Sequence, residues 1–204
     1  MVRVKICGIT NLEDALAAAE AGCDAVGFIF YKKSPRYIAP IKAKEIIRKL
    51  PKGVIKIGVF VNAAEDTIRD AARLCHLDML QFHGDETPEF CRRFKGCKII
   101  KSFRVKDKFD PEAVAGYKVF AYLFDTFSKG RFGGTGSVFN WKLIDDLNLK
   151  QPVFVSGGLS RRNVSGAIKL IRPSWVDAST SLEERPGKKD HKEIRRFIAA
   201  AKGS

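Results

Sequence analysis

The sequence lacks most of the features that would remove it from the class of small globular enzymes. No apolar run in its 204 residues approaches the roughly 20 that a membrane span needs, so neither a transmembrane segment nor a membrane partner is expected. The N-terminus has no apolar stretch of the kind a secretory leader carries, and export is not expected either. Cysteine is present only as an odd set, Cys7, Cys23, Cys75, Cys91 and Cys97, without C-x-x-C spacing. That fits a reducing cytoplasm better than a disulfide framework and lacks zinc-type spacing. No other cluster has metal-ligand spacing, and no metal is expected. Linkers and low-complexity tracts are also missing, so residues 1–204 read as one domain. Acidic residues are scarce: 23 against 37 basic ones, a net charge of +14. Such a surface favours anionic ligands. The cations are scattered, however, without the aromatic interleaving of a nucleic-acid motif, so no nucleic-acid partner is expected.

What is present is ample apolar material, 45% of the chain, laid out in a regular alternation. Short runs suited to strands, Val2–Cys7, Ala25–Phe30, Ile55–Phe60, Met79–Phe82, Lys98–Phe103, Val119–Asp125, Val153–Val155 and Trp175–Ala178, are each followed by a helical pattern. In the first helix Leu12, Ala15, Leu16 and Ala19 share one face after Asn11, a good N-cap. Further helices are expected near Ala43–Leu50, over Ala64–Cys75, after Thr87, weakly over Asp110–Ala115, after Asn140, around Val164–Ile171 and around Ile194–Ala201. Eight β-then-α units demand a parallel sheet and predict a closed (β/α)8 barrel, an α/β fold of TIM-barrel type. An open doubly wound sheet is the other topology, but no G-x-G-x-x-G follows the first strand.

In such a barrel the chemistry gathers at the C-terminal strand ends. The first strand puts Val2, Val4 and Ile6 on one face and Arg3, Lys5 and Cys7 on the other. A lysine and a thiol are poor core, so Cys7 is a candidate base or nucleophile. Lys5, two residues back on the same face, is expected to favour its thiolate. Arg36 lies in a basic loop after strand two, as a bidentate carboxylate ligand or simply an exposed cation. His83 follows strand four and reads as a structural hydrogen-bonding residue rather than the main base. Asp125 ends strand six. If apolar neighbours raise its pKa it can serve as a proton donor; otherwise it caps a loop. Gly157-Gly158 follows strand seven, where bare N–H groups of this fold often hold phosphate, although a simple turn uses the same residues. Asp177 to Ser181 end strand eight. Gly133-Gly134-Thr135-Gly136 suits a lid or a second phosphate loop.

Taken together these residues resemble the phosphoribosylanthranilate isomerase family of tryptophan biosynthesis. The resemblance spans nearly the whole chain. It rests on Lys5-Ile6-Cys7-Gly8-Ile9-Thr10, Gly27-Phe28, Ser34-Pro35-Arg36-Tyr37, Gly58-Val59-Phe60-Val61-Asn62 and Gln81-Phe82-His83-Gly84. It continues through Asp125-Thr126, Gly133-Gly134-Thr135-Gly136 with Phe139-Asn140-Trp141, Ser156-Gly157-Gly158-Leu159 with Asn163-Val164, and Pro186-Gly187-Lys188-Lys189-Asp190. It implies a cofactor-free Amadori rearrangement of N-(5-phosphoribosyl)anthranilate to 1-(2-carboxyphenylamino)-1-deoxyribulose 5-phosphate. By the same resemblance Asp125 is the general acid and Cys7, as thiolate, the general base. Arg36 meets the anthranilate carboxylate. Gly157, Gly158 and the loop of Asp177, Ser179, Thr180 and Ser181 hold the phosphorylated sugar. The family contains monomers and homodimers.

Two positions depart from the family pattern. Ser181 stands where the family has glycine. A serine held in the left-handed region there would cost roughly 1–2 kcal/mol and weaken phosphate binding, unless its hydroxyl donates to the ligand instead. Phe82 replaces a usual leucine. The alternatives are a related sugar-phosphate isomerase, such as the histidine-pathway enzyme with paired aspartates at its strand ends, or a decayed, non-catalytic barrel. Cys7 at the end of strand one argues against the former, and the presence of both Cys7 and Asp125 argues against the latter.

Overall fold

The computed structural model describes residues 1–126, 140–145, 147 and 149–204. Eight parallel strands close into a barrel: β1 Arg3–Cys7, β2 Ala25–Ile29, β3 Ile55–Phe60, β4 Met79–Phe82, β5 Lys98–Val105, β6 Ala121–Thr126, β7 Val153–Val155 and β8 Trp175–Ala178. Each pairs with the next, and β8 returns to β1 through Lys5 opposite Asp177. The helices are α1 Leu12–Glu20, α2 Pro40–Ile47, α3 Glu65–Cys75, α4 Pro88–Arg92, α5 Glu112–Ala115, α6 Lys142–Asp145, α7 Val164–Ile171 and α8 His191–Lys202.

The caps follow the local chemistry. Asn11 accepts from the Asp14 N–H at 2.9 Å, and Thr87 accepts from the Phe90 N–H at 3.2 Å. α2 begins at Pro40, earlier than the apolar spacing suggested, because proline at the first helical position needs no N–H partner. β6 begins at Ala121 rather than Val119. After β8 a short 3₁₀ turn, Thr180–Leu182, leads into a two-stranded antiparallel ribbon, β9 Glu183–Arg185 and β10 Lys188–Lys189, which the sequence reading did not anticipate. The ribbon fastens the end of the chain to its beginning. Buried Asp14 accepts from the Lys189 N–H at 2.8 Å and pairs with His191 Nε2 at 2.8 Å.

Pleat alternation divides the side chains as expected. Tyr122 and Phe124 pack outward against the helical layer. Ala121 and Leu123 point inward with Ala25, Ile57, Met79, Ile100, Phe154 and Trp175. Phe154 and Trp175 stack with centroids 4.8 Å apart. Each such large apolar side chain taken out of water contributes roughly 1.5–3 kcal/mol. Further along the same strands the inward face turns polar, with Lys5, Gln81, Ser102, Asp125 and Asp177 all buried. That change of character marks the C-terminal end of the barrel as the site.

Candidate active site

β1 delivers Lys5 and Cys7 to the interior, both buried. Gly27 on the neighbouring strand makes room for the thiol, since a Cβ there would lie 2.8 Å from Cys7 Sγ and 3.2 Å from Lys5 Cε. Lys5 lowers the pKa of the Cys7 thiol, but it is not a free cation. Lys5 Nζ is already paired with Asp177 Oδ2 at 2.9 Å. Burial pushes the Cys7 thiol up, Lys5 offsets only part of this, and Asp177 adds to the rise. The resting group is therefore the thiol. Lys5 itself stays protonated: burial lowers its pKa, but Asp177 holds it above the ordinary lysine value.

Asp177, expected to meet substrate, has one oxygen on Lys5. Its other oxygen, Oδ1, is buried without a hydrogen-bond partner among the described residues. Arg36 is buried, and its bidentate contact is made within the protein. Nε donates to Glu183 Oε1 at 2.8 Å and Nη2 to Glu183 Oε2 at 2.7 Å, with Thr180 Oγ1 at 3.3 Å. Its Nε–Nη2 edge is thus taken by Glu183, and its burial corrects the alternative of a simply exposed cation. Glu183 also accepts from Lys189 Nζ at 2.9 Å, and Lys189 reaches the Ser179 carbonyl at 3.2 Å. Burial lowers the pKa of Lys189.

On the opposite side of the barrel, Asp125 at the end of β6 is not set among apolar groups alone. Its Oδ1 accepts from the Thr126 N–H at 2.8 Å, and Oδ2 lies 3.2 Å from His83 Nε2. His83 Nδ1 in turn lies 2.8 Å from Gln81 Nε2. β4 and the residue that follows it bring Gln81 and His83 together, as β1 presents Lys5 and Cys7.

A cleft runs from Asp125 and Asp177 along Gly157, Gly158, Ser179, Thr180 and Ser181. Gly157 and Gly158 both have positive φ, +84° and +65°. A Cβ on Gly157 would lie 2.2 Å from Thr126 Oγ1, so only glycine passes there. Ser181 is corrected. It lies in the 3₁₀ turn, outside the set of positive-φ residues, so the feared strain is not stored. Its hydroxyl donates to the Leu159 carbonyl and joins the two loops instead of facing a ligand. The glycine-rich stretch at 133–136 lies outside the described residues.

Sequence reasoning missed Gln81, Glu183 and Lys189. Gln81 carried a usable signal, a polar residue inside a strand and on the same face as His83. Glu183 and Lys189 carried no signal of their pairing, because it depends on a ribbon that short charged runs do not announce.

Full-length relatives of high identity point to one family. A family model described as N-(5′-phosphoribosyl)anthranilate (PRA) isomerase matches residues 4–200. The enzyme of that name from Geobacter sulfurreducens is 46% identical over 203 residues, covering 100% of both chains. That of Thermotoga neapolitana is 47% identical over 205 residues with the same coverage. Among solved structures, the phosphoribosyl anthranilate isomerase of Thermotoga maritima superposes with a TM-score of 0.92 at 45% identity over 100% of both chains. A phosphoribosyl anthranilate isomerase in complex with reduced 1-(o-carboxyphenylamino)-1-deoxyribulose 5-phosphate gives 0.89 at 45% identity, again over 100% of both chains.

Proposed function

The chain belongs to the N-(5′-phosphoribosyl)anthranilate isomerase family; it is an isomerase of tryptophan biosynthesis, and we propose that Cys7 and Asp125 carry its proton transfers. The observation behind this assignment is their placement. They end β1 and β6, on different sides of one barrel mouth, and the Asp125 side opens into the glycine-lined cleft.

Asp125 gives a proton to the ribose ring oxygen, and the C1′–O bond breaks to leave an iminium. Cys7, as thiolate, takes the C2′ proton, and those C–H electrons form the C1′=C2′ bond of an enolamine. Loss of the C2′ hydroxyl proton and gain of one at C1′ give the ketone. The acid has then lost one proton and the base has gained one, and exchange with solvent resets both. General acid and base groups of this kind each contribute about 10²–10⁴-fold.

Lys5 supports the developing thiolate, and Asp177 holds Lys5 in place. The N–H groups around Gly157 and Gly158, with the turn of Ser179, Thr180 and Ser181, take the substrate phosphate. Arg36, held by Glu183, turns its remaining N–H groups to the anthranilate carboxylate. His83 supports Asp125. No cofactor enters the scheme, and an anionic sugar phosphate is the one partner it requires. All five thiols are free, which suits the reducing cytoplasm where we place the enzyme.

The test is turnover of phosphoribosylanthranilate, followed by loss of anthranilate fluorescence. Folded wild type should react, and Cys7→Ser and Asp125→Asn should each fall by about a hundredfold or more. Retention of activity in either variant would remove that residue from its role.

A further inference from the structure

The Gln81–His83–Asp125 chain has a feature that proton donation alone does not explain. Resting on the assignment of Asp125 as the acid, we propose that Gln81 is a positioning residue whose side-chain amide selects the His83 tautomer, and thereby whether Asp125 holds the proton it donates.

The hydrogen bonds admit two arrangements. In the structure the amide nitrogen of Gln81 faces His83 Nδ1 at 2.8 Å. An amide nitrogen only donates, so Nδ1 must be bare and the imidazole hydrogen sits on Nε2. That hydrogen points at Asp125 Oδ2, 3.2 Å away. Oδ1 already accepts from the Thr126 N–H, so both oxygens of Asp125 accept here. This is the unloaded arrangement.

A loaded acid carries its proton on Oδ2, and His83 Nε2 must then be bare to accept it. Nδ1 becomes the protonated nitrogen and needs an acceptor. Among the described residues, Gln81 Oε1 can supply it, brought round by a half-turn of the amide. That oxygen is available, being buried without a partner among the described residues. With Oε1 toward Nδ1, Asp125 and His83 together hold one more proton than with Nε2 toward it. That proton is the one Asp125 passes to the ring oxygen; Nδ1 keeps its hydrogen on Gln81 Oε1, and exchange with solvent restores the proton on Oδ2. Burial keeps water from substituting for Gln81, whose residue exposure is 1%. The coupling is the same in kind as that by which partners behind a metal-ligating histidine fix its tautomer, where their loss typically costs about 10–100-fold in activity.

The experiment is ¹⁵N NMR of the imidazoles in the unliganded enzyme. The chain has three histidines, His76, His83 and His191, and His83→Asn identifies the relevant signals. At mildly alkaline pH wild-type His83 should be protonated on Nε2 with Nδ1 bare. In Gln81→Glu the ionised carboxylate only accepts, so the hydrogen should move to Nδ1. In Gln81→Leu the contact to Asp125 remains and should keep the hydrogen on Nε2, while kcat should fall by about tenfold or more with KM within about twofold. A wild-type His83 protonated on Nδ1, or one tautomer shared by wild type and Gln81→Glu, overturns the proposal. Should Gln81→Glu fail to fold, the wild-type tautomer and the kcat of Gln81→Leu decide it. The tautomer is read without substrate, so its failure is separate from failure of the assigned reaction, which the turnover assay reads alone.

Discussion

Lys101→Met tests how the barrel holds His83 in place. Lys101 lies on the outer face of β5 with its side chain 2% exposed. Its three ammonium hydrogens meet three acceptors: the Gly84 carbonyl at 2.7 Å, Glu86 Oε2 at 3.1 Å and the Phe82 carbonyl at 3.3 Å. Glu86 in turn accepts from the Asn62 N–H at 2.8 Å and the Gly84 N–H at 2.9 Å. The pair therefore stitches the His83-Gly84 turn to β3 and β5. Methionine fills a similar volume but leaves a buried carboxylate on two amides and two carbonyls without their donor. Removing one member of such a pair costs about 3–5 kcal/mol, which for a chain of this size lowers Tm by about 6–20 °C. The assay is urea unfolding followed by circular dichroism, with Lys101→Met/Glu86→Gln alongside. The double variant removes the uncompensated charge while its amide oxygen still accepts from Asn62 and Gly84, so it should recover at least about 1 kcal/mol relative to the single change. A single-variant cost below about 1 kcal/mol, or simple additivity with Glu86→Gln, would refute the reasoning.

Three further outcomes follow from the site. Ser181→Gly should not lower KM for the phosphorylated substrate, since no strain is relieved. It should cost about 1 kcal/mol of stability through the lost bond to Leu159, and a clear fall in KM would contradict the observed backbone. Gly157→Ala should cost roughly 1–2 kcal/mol for its left-handed backbone alone, with more from the Thr126 clash, and should raise KM; unchanged stability and KM would show that the loop yields. Burial holds Cys7 above the ordinary thiol pKa of about 8.5, and the base form is the deprotonated one, so kcat/KM should climb with pH through the alkaline range. In Cys7→Asp the base is a carboxylate, intrinsically far more acidic than a thiol, so that climb should move to lower pH; an unmoved climb would assign it to another group.

Much of this was legible because β-strand alternation is a local rule. Once Cys7 ended a strand, Lys5 had to share its face, and the same pleat put Asp125 with Ala121 and Leu123. Eight repeats of strand and helix then left few topologies. What stayed hidden depends on partners distant in sequence. Lys5 looked like a cation free to stabilise a thiolate. Its neighbour Asp177 enters only through the closing pair of β1 and β8, 172 residues apart. Arg36 looked open to a ligand, but Glu183 reaches it from the ribbon after β8, 147 residues on. Ser181 looked strained because a family glycine implied a left-handed backbone. A glycine can be used for space or for φ, and the letter alone does not say which.

The barrel interior separates two demands along the same strands. Near their beginnings Ala25, Ile57, Met79, Ile100, Phe154 and Trp175 form a dry layer with no polar atom to satisfy except the indole nitrogen. Near their ends the same faces carry Lys5, Cys7, Gln81, Asp125 and Asp177. There the buried oxygens Gln81 Oε1 and Asp177 Oδ1 lack partners among the described residues. Stability therefore rests chiefly on the apolar lower layer and the helical shell. It follows that truncation in the lower layer, as in Ile57→Ala, should unfold the chain more easily, by about 2–5 kcal/mol, while leaving KM and kcat of the remaining folded enzyme unchanged. Asp125→Asn should do the reverse, abolishing turnover with little loss of stability. Ile57→Ala that lowers kcat without lowering stability would show that the layers are coupled, and that the site is held by the packing beneath it as well as by its own hydrogen bonds.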